Sequence, residues 1–235
     1  MNKPADQTPA QLSEGIEILQ GVSFSSPDQP LTRSVFRANA LRTDAIAAIQ
    51  FIRDYEQAVR HSDFSAAVQL GPAAIIAAAQ TDAFDANLEA SQKLCLAYKT
   101  FFIFIRALHD AIYACLLEKW PGQMGGKLTS LSDAFKGLKE KPAAALIRAR
   151  IPEFEVWFMQ FRDDRNNIKY GRGSGVLEDG ATIRATFTRQ TFGSQTIEVV
   201  VGHREVVVAA EMTAMLASLL SEQTAMRHPA IDRSR

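Results

Sequence analysis

The stretch from Asp82 to Trp120 constrains the fold more than any other part of the chain. It contains neither glycine nor proline, and Phe84, Leu88, Leu94, Tyr98, Phe101, Ile105, Leu108, Ile112 and Leu116 recur at spacings of three, four or six. That spacing places apolar side chains on one stripe of an α-helix, here of roughly ten turns at 3.6 residues per turn. The helix should stop at Trp120-Pro121-Gly122, where proline denies the next hydrogen bond and glycine permits a reversal. Around Phe101-Phe102-Ile103-Phe104-Ile105 it is apolar nearly all round, which predicts either a central helix with neighbours on several sides or a dimer surface. This unbroken apolar run is too short to span a bilayer. The beginning of the chain, MNKPADQTPAQLSEG, has no secretory pattern. The expectation is a cytoplasmic protein without a membrane partner.

The rest of the chain reads as elements arranged around that helix, and 235 residues at 47% apolar composition can bury a substantial core. Residues 1–42 are rich in proline and serine and predict a partly ordered N-terminal arm with a short helix around Thr8 to Gln20. Thr43 resembles an N-cap for a helix reaching about His61, with Ile46, Ile49, Phe51, Ile52 and Val59 on its apolar side. A further start follows at Ser62 or Asp63, with a break at Gly71-Pro72 and an end near Gln80. Residues 121–151 read as a connector with short helical pieces at 130–136 and 143–150. Pro152 fits a first helical position, and Phe154, Trp157, Phe158, Phe161 and Ile168 form one stripe of a helix ending at Tyr170-Gly171. After a glycine-rich Gly171 to Gly175, the period changes to two at Ile183, Ala185 and Phe187 and again at Ile197, Val199 and Val201. This predicts a hairpin over about 181–201, turning through Phe192 to Gln195. Helix returns from Val206 to Leu220, and residues 225–235 should form a flexible tail. The fold class is therefore mainly α, a helical bundle with one very long central helix and a C-terminal β-hairpin followed by a helix. Residues 43–224 form its single domain.

Charge and cysteine content narrow the chemistry. With 26 basic and 26 acidic side chains the chain is formally neutral, which excludes an extensively basic nucleic-acid coat. The balance is uneven locally: residues 1–100 hold 8 basic against 11 acidic side chains, and residues 127–172 hold 10 against 6. Cys95 and Cys115 lie in the same long helix, about 30 Å apart at 1.5 Å per residue, so they cannot bridge within it and read as small buried hydrophobes. No histidine pair has metal-ligand spacing, so neither a metal site nor a cofactor is expected. Gly122 to Thr129 has the flavour of a phosphate loop but lacks its spacing and follows a helix, and no serine occupies a nucleophile elbow.

The informative stretch is Phe161 to Gly173, FRDDRNNIKYGRG. On a helix, Phe158, Phe161, Arg165 and Ile168 share one face, so Arg165 points toward packing. A buried guanidinium must find a carboxylate, carbonyls or a phosphate. Arg162, Lys169 and Arg172 surround it, whereas Asp163, Asp164 and Asn167 point away. One reading is a phosphate-binding site made by Arg162, Arg165, Lys169 and Arg172, with Asn166 and Tyr170 as neutral partners. The other is an Arg165 paired with Asp110 or Glu118 of the long helix, beside a solvated cluster at a helix C-terminus.

Arg165-Asn166-Asn167-Ile168-Lys169-Tyr170, preceded by Trp157 and Arg162 and followed by glycine, resembles the RNxxxH signature of HEPN domains. These are helical bundles with long antiparallel helices, often dimers, and many are metal-independent endoribonucleases of toxin, antiphage and stress systems. The resemblance implies phosphate roles for Arg165 and Asn166, a homodimer, and an RNA or nucleotide ligand. Tyr170 stands where the family has histidine, and a phenol with a pKa of about 10 is a poor base at neutral pH. His109 of the long helix is the one substitute the sequence suggests. The functional expectation is a HEPN-like nucleotide- or RNA-phosphate-binding regulatory module, catalytically degenerate. The alternatives are a weak metal-independent endoribonuclease using Arg165, Asn166 and Tyr170, with His109, and a purely protein-binding helical module.

Overall fold

A computed structural model describes residues 8–24, 32–120, 130–136, 142–171, 173–179, 182–191 and 195–221. Among these residues are nine helices and one three-stranded sheet. The helices are α1 (Thr8–Gly21), α2 (Arg33–Arg60), α3 (Asp63–Leu70), α4 (Pro72–Ala78), α5 (Asp82–Lys119), α6 (Leu131–Phe135), α7 (Pro142–Arg150), α8 (Phe154–Tyr170) and α9 (His203–Ser218). The strands are β1 (Gly173–Asp179), β2 (Thr182–Gln190) and β3 (Thr196–Val201). The chain is thus a mainly helical bundle built on one very long helix, with a small sheet and a helix following it.

The long helix forms where its glycine-free apolar stripe requires. Thr81 caps its first turn by accepting from the Ala83 N–H, and Leu94, Tyr98, Phe101, Ile105, Leu108, Ile112 and Leu116 are buried. Phe84 and Leu88 share the stripe but are exposed, because the first turns of α5 meet only the short α3 and α4; Phe84 packs edge-on against Phe64 at 5.2 Å. By length and composition α5 could cross a bilayer, and in this fold 67% of its most apolar stretch is buried.

Helix α2 is the main partner of α5 and runs antiparallel to it. Ser34, near its start, donates to Glu118 at the end of α5, and Tyr55, near its own end, lies under Lys93 in the first third of α5. The expected start at Thr43 is corrected. The helix begins ten residues earlier, where the Thr32 hydroxyl accepts from the Val35 N–H, and Thr43 is a mid-helix residue whose hydroxyl bonds back to the Asn39 carbonyl. Ile49, Ile52 and Val59 face the core as expected, but Phe51 is exposed. The N-terminal segment is no loose arm over its described part, since Leu12, Ile16 and Leu19 of α1 are buried against α2 and α9. Gly15 lies on this seam, where a Cβ added to it would make ordinary van der Waals contact with Val206 Cγ1 at 3.6 Å.

The break at Gly71-Pro72 occurs as expected. Gly71 has φ +104°, a left-handed conformation that favours glycine, and Pro72 opens α4. The expected hairpin forms as β2 and β3, and a further strand extends it to a three-stranded antiparallel meander, order β1-β2-β3. The added strand β1 covers the glycine-rich segment and pairs with β2 from Gly173↔Thr188 to Asp179↔Thr182. Ile183, Ala185 and Phe187 of β2, with Val199 and Val201 of β3, turn inward toward α8 and α5. The expected turn residues 192–194, the tail from 225 and the loop of Gly122 to Thr129 lie outside the described residues.

Candidate functional site at the end of helix α8

Helix α8 is positioned by its aromatic stripe. Phe154, Phe158, Phe161 and Ile168 are buried, and Phe161 stacks on Phe102 of α5 at 5.3 Å. One turn beyond Phe161, Arg165 continues this face into a half-buried position. Its Nη1 donates to Asn166 Oδ1 at 2.9 Å, and its buried Nε has no partner among the described residues.

Arg106 reaches the same region from α5. It is 4% exposed, and its guanidinium lies 5.0 Å from the centre of the Phe158 ring. Its Nη1 is 2.6 Å from Asp110 Oδ2, an ion pair by distance, although no N–H is directed along that line. Asp110 is engaged a second time, because its Oδ1 accepts from the Leu131 N–H at 2.8 Å and thereby holds the start of α6. Burial, and after it the charge of Arg106, lower the Arg165 guanidinium from its ordinary value; Tyr170 and Asp110 act in the opposite direction. Two guanidinium groups therefore share the influence of one carboxylate that is already bonded elsewhere. A direct Arg165 pair with Asp110 or Glu118 does not form, since Glu118 instead accepts from Ser34.

The surrounding cations fall into two groups. Arg162 is occupied: its Nη2 is 2.6 Å from Asp163 Oδ1, and its Nη1 donates to Ser132 Oγ at 3.2 Å. Where a phosphate role was expected of it, Asp163 turns back onto it instead of pointing away. Lys169 remains beside Tyr170, with Nζ 4.9 Å from the ring centre, and Arg189 of β2 lies on the same ring at 5.6 Å. Arg189 Nη1 also donates to Asn167 Oδ1 at 3.3 Å. Tyr170 is 55% exposed. Arg172 lies outside the described residues.

His109 is corrected from a substitute base to a core residue. It is 0% exposed and sits 5.6 to 6.0 Å from the rings of Phe154, Trp157, Phe158 and Phe161. The Thr213 hydroxyl donates to the Ala209 carbonyl at 2.7 Å, so its oxygen accepts from His109 Nε2–H at 2.9 Å. Nδ1 is left unprotonated, buried and unpartnered. Burial, and next Arg106, push the imidazole down to about 3, so it is neutral at physiological pH and sealed from any ligand. Among the described residues no histidine bonds to Arg165, Asn166 or Tyr170, and no group of three metal-ligating side chains is present.

The sequence brought Arg165, Asn166, Lys169 and Tyr170 together correctly but missed Arg106 and Arg189. A charge inside the buried half of the α5 stripe was a usable signal for Arg106. Arg189 joins through the sheet and had no local signal. The chain matches no family model, no curated protein and no solved structure.

Proposed function

We propose that the chain is a HEPN-like module that binds nucleotide or RNA phosphate at the end of α8 and is degenerate for cleavage. The observation that carries this reading is Arg165, whose Nε is unpartnered and whose charge, with that of Arg106, is incompletely balanced by Asp110. A phosphate would supply the missing acceptor bidentately. Tyr170 offers a hydroxyl donor and a ring on which a base can stack, flanked by Lys169 and Arg189. Degeneracy rests on Tyr170 occupying the histidine position and on the enclosure of His109. Self-association is part of the proposal, supported by the exposure of Phe84, Leu88 and Leu96 on α5.

The test is metal-free binding of a labelled single-stranded RNA followed by fluorescence anisotropy, with cleavage monitored on a gel. Arg165→Gln should weaken binding at least tenfold and reduce the slope of log affinity against log salt by about one, without any cleavage by either protein. Equal binding by wild type and variant would refute the site. Cleavage abolished by Tyr170→Phe would favour the ribonuclease reading instead.

A further inference from the structure

A second polar cluster joins α2 to the start of α9. Glu56 is buried and divides its carboxylate between two partners: Oε1 accepts from Arg60 Nη2 at 2.7 Å, and Oε2 lies 2.5 Å from His203 Nε2. His203, the first residue of α9, is 7% exposed. A carboxylate on Nε2 fixes both the ring and its tautomer, with the proton directed at Glu56. The same imidazole lines a cavity of about 220 Å³ together with Gln11, Thr182, Arg184, Arg204 and Glu205. Its remaining polar atom, Nδ1, is bonded to no described residue and is not sealed from solvent.

The cavity is positively charged. Neither the Arg184 nor the Arg204 side chain has a hydrogen bond or ion pair with a described residue. Glu205, the carboxylate among the lining residues, is committed to the Gly202 N–H at 2.8 Å. Glycine at the N-cap leaves the first-turn N–H groups of α9 without a side-chain cap, so their attraction adds to that of the side chains. The charged and titratable groups around His203 are Glu56 and Arg60 of α2, Tyr98 of α5, Arg184 of β2, and Arg204 and Glu205 of its own helix. With Glu56 balanced by Arg60, the set carries one net positive charge when His203 is neutral and two when it is protonated. The volume falls below the roughly 300 Å³ at which pockets for drug-sized ligands begin.

We propose that this cavity binds a small dianionic oxyanion of the phosphate-monoester class. Arg184 and Arg204 hold its oxygens, and protonated His203 donates to it from Nδ1. Because Nε2 already faces Glu56, Nδ1 can donate to the anion only in the imidazolium form, so binding takes up a proton.

The experiment uses the full-length Arg165→Gln protein, which silences the α8 site, and measures binding of sulfate, inorganic phosphate and succinate by titration calorimetry. Circular dichroism checks the fold of each variant. Sulfate stays dianionic across the range, so its affinity should fall as pH rises from roughly 5.5 to roughly 8, and His203→Gln should flatten that dependence. Adding Arg184→Gln and Arg204→Gln should weaken sulfate and phosphate at least tenfold. Unchanged affinity in the arginine variant, no saturable binding up to roughly 10 mM, preference for succinate, or an unaltered pH dependence in His203→Gln would each overturn the proposal.

Discussion

Protonation of His109 should set part of the acid stability of the fold. The imidazole is held at about 3 in the folded chain and returns to an ordinary value of about 6.5 on unfolding. A histidine with a depressed folded pKa leaves the unfolded state binding more protons between those values, so stability is intact above about pH 6.5 and is lost as pH falls toward about 3. Each pH unit inside that window is worth about 1.4 kcal/mol. Between about pH 7.5 and about pH 5 the wild type should therefore lose about 2 kcal/mol through this residue alone. His109→Gln keeps a donor for the Thr213 oxygen that His109 Nε2 now reaches at 2.9 Å but cannot titrate. Urea unfolding of both proteins across that pH range isolates the effect, because other titrating groups cancel in the difference. The wild type should converge on or fall below the variant as pH drops. Parallel stability curves would show that His109 takes up a proton as readily in the fold as in the unfolded chain and would remove the main argument against its use as a base.

Other substitutions test the packing. Thr32→Ala should cost about 1 kcal/mol by removing the cap of α2, and Thr43→Ala much less, as thermal unfolding would show; the reverse order would return the helix start to Thr43. The Tyr98 hydroxyl is buried without a partner, a condition that costs about 1 to 3 kcal/mol. Tyr98→Phe should therefore raise the urea midpoint, and a lowered midpoint would reveal a bonded hydroxyl. Burial raises the Cys95 thiol, and burial with nearby Glu118 pushes Cys115 up to about 12. Both should resist a disulfide reagent at neutral pH until the chain unfolds, and rapid labelling of either would contradict that burial.

The parts of the fold legible in the sequence were those whose signal is local and periodic. Helix α5 was delimited by the glycine- and proline-free stretch from Asp82 to Trp120, and α8 by an aromatic stripe that only a helix brings together. Thr43 was misread because a threonine that bonds back to its own helix has the same local sequence as one that caps the next. Strand β1 escaped because Gly173 and Gly175 interrupt any alternation, and its pairing with β2 supplies what its own side chains do not. In the candidate site, helical geometry gave the direction of Arg165, but its electrostatic neighbour Arg106 depends on how α8 lies on α5. Glu56 and His203 are separated by 147 positions and are unremarkable in isolation, so only tertiary structure makes them a pair.

The packing of α1 on α9 also fixes when the fold can close. Leu12, Ile16 and Leu19 are buried partly against a helix that begins at His203. During synthesis these side chains must wait for that helix to emerge. At roughly 5 to 20 residues per second, the interval is on the order of 10 to 40 seconds. Throughout it the amphipathic first helix has an unfilled groove-facing side and an opportunity for non-native association. The seating of α1 on α9 is thus a late clasp, and the nascent chain should be most vulnerable to aggregation and proteolysis just before its last helix is made.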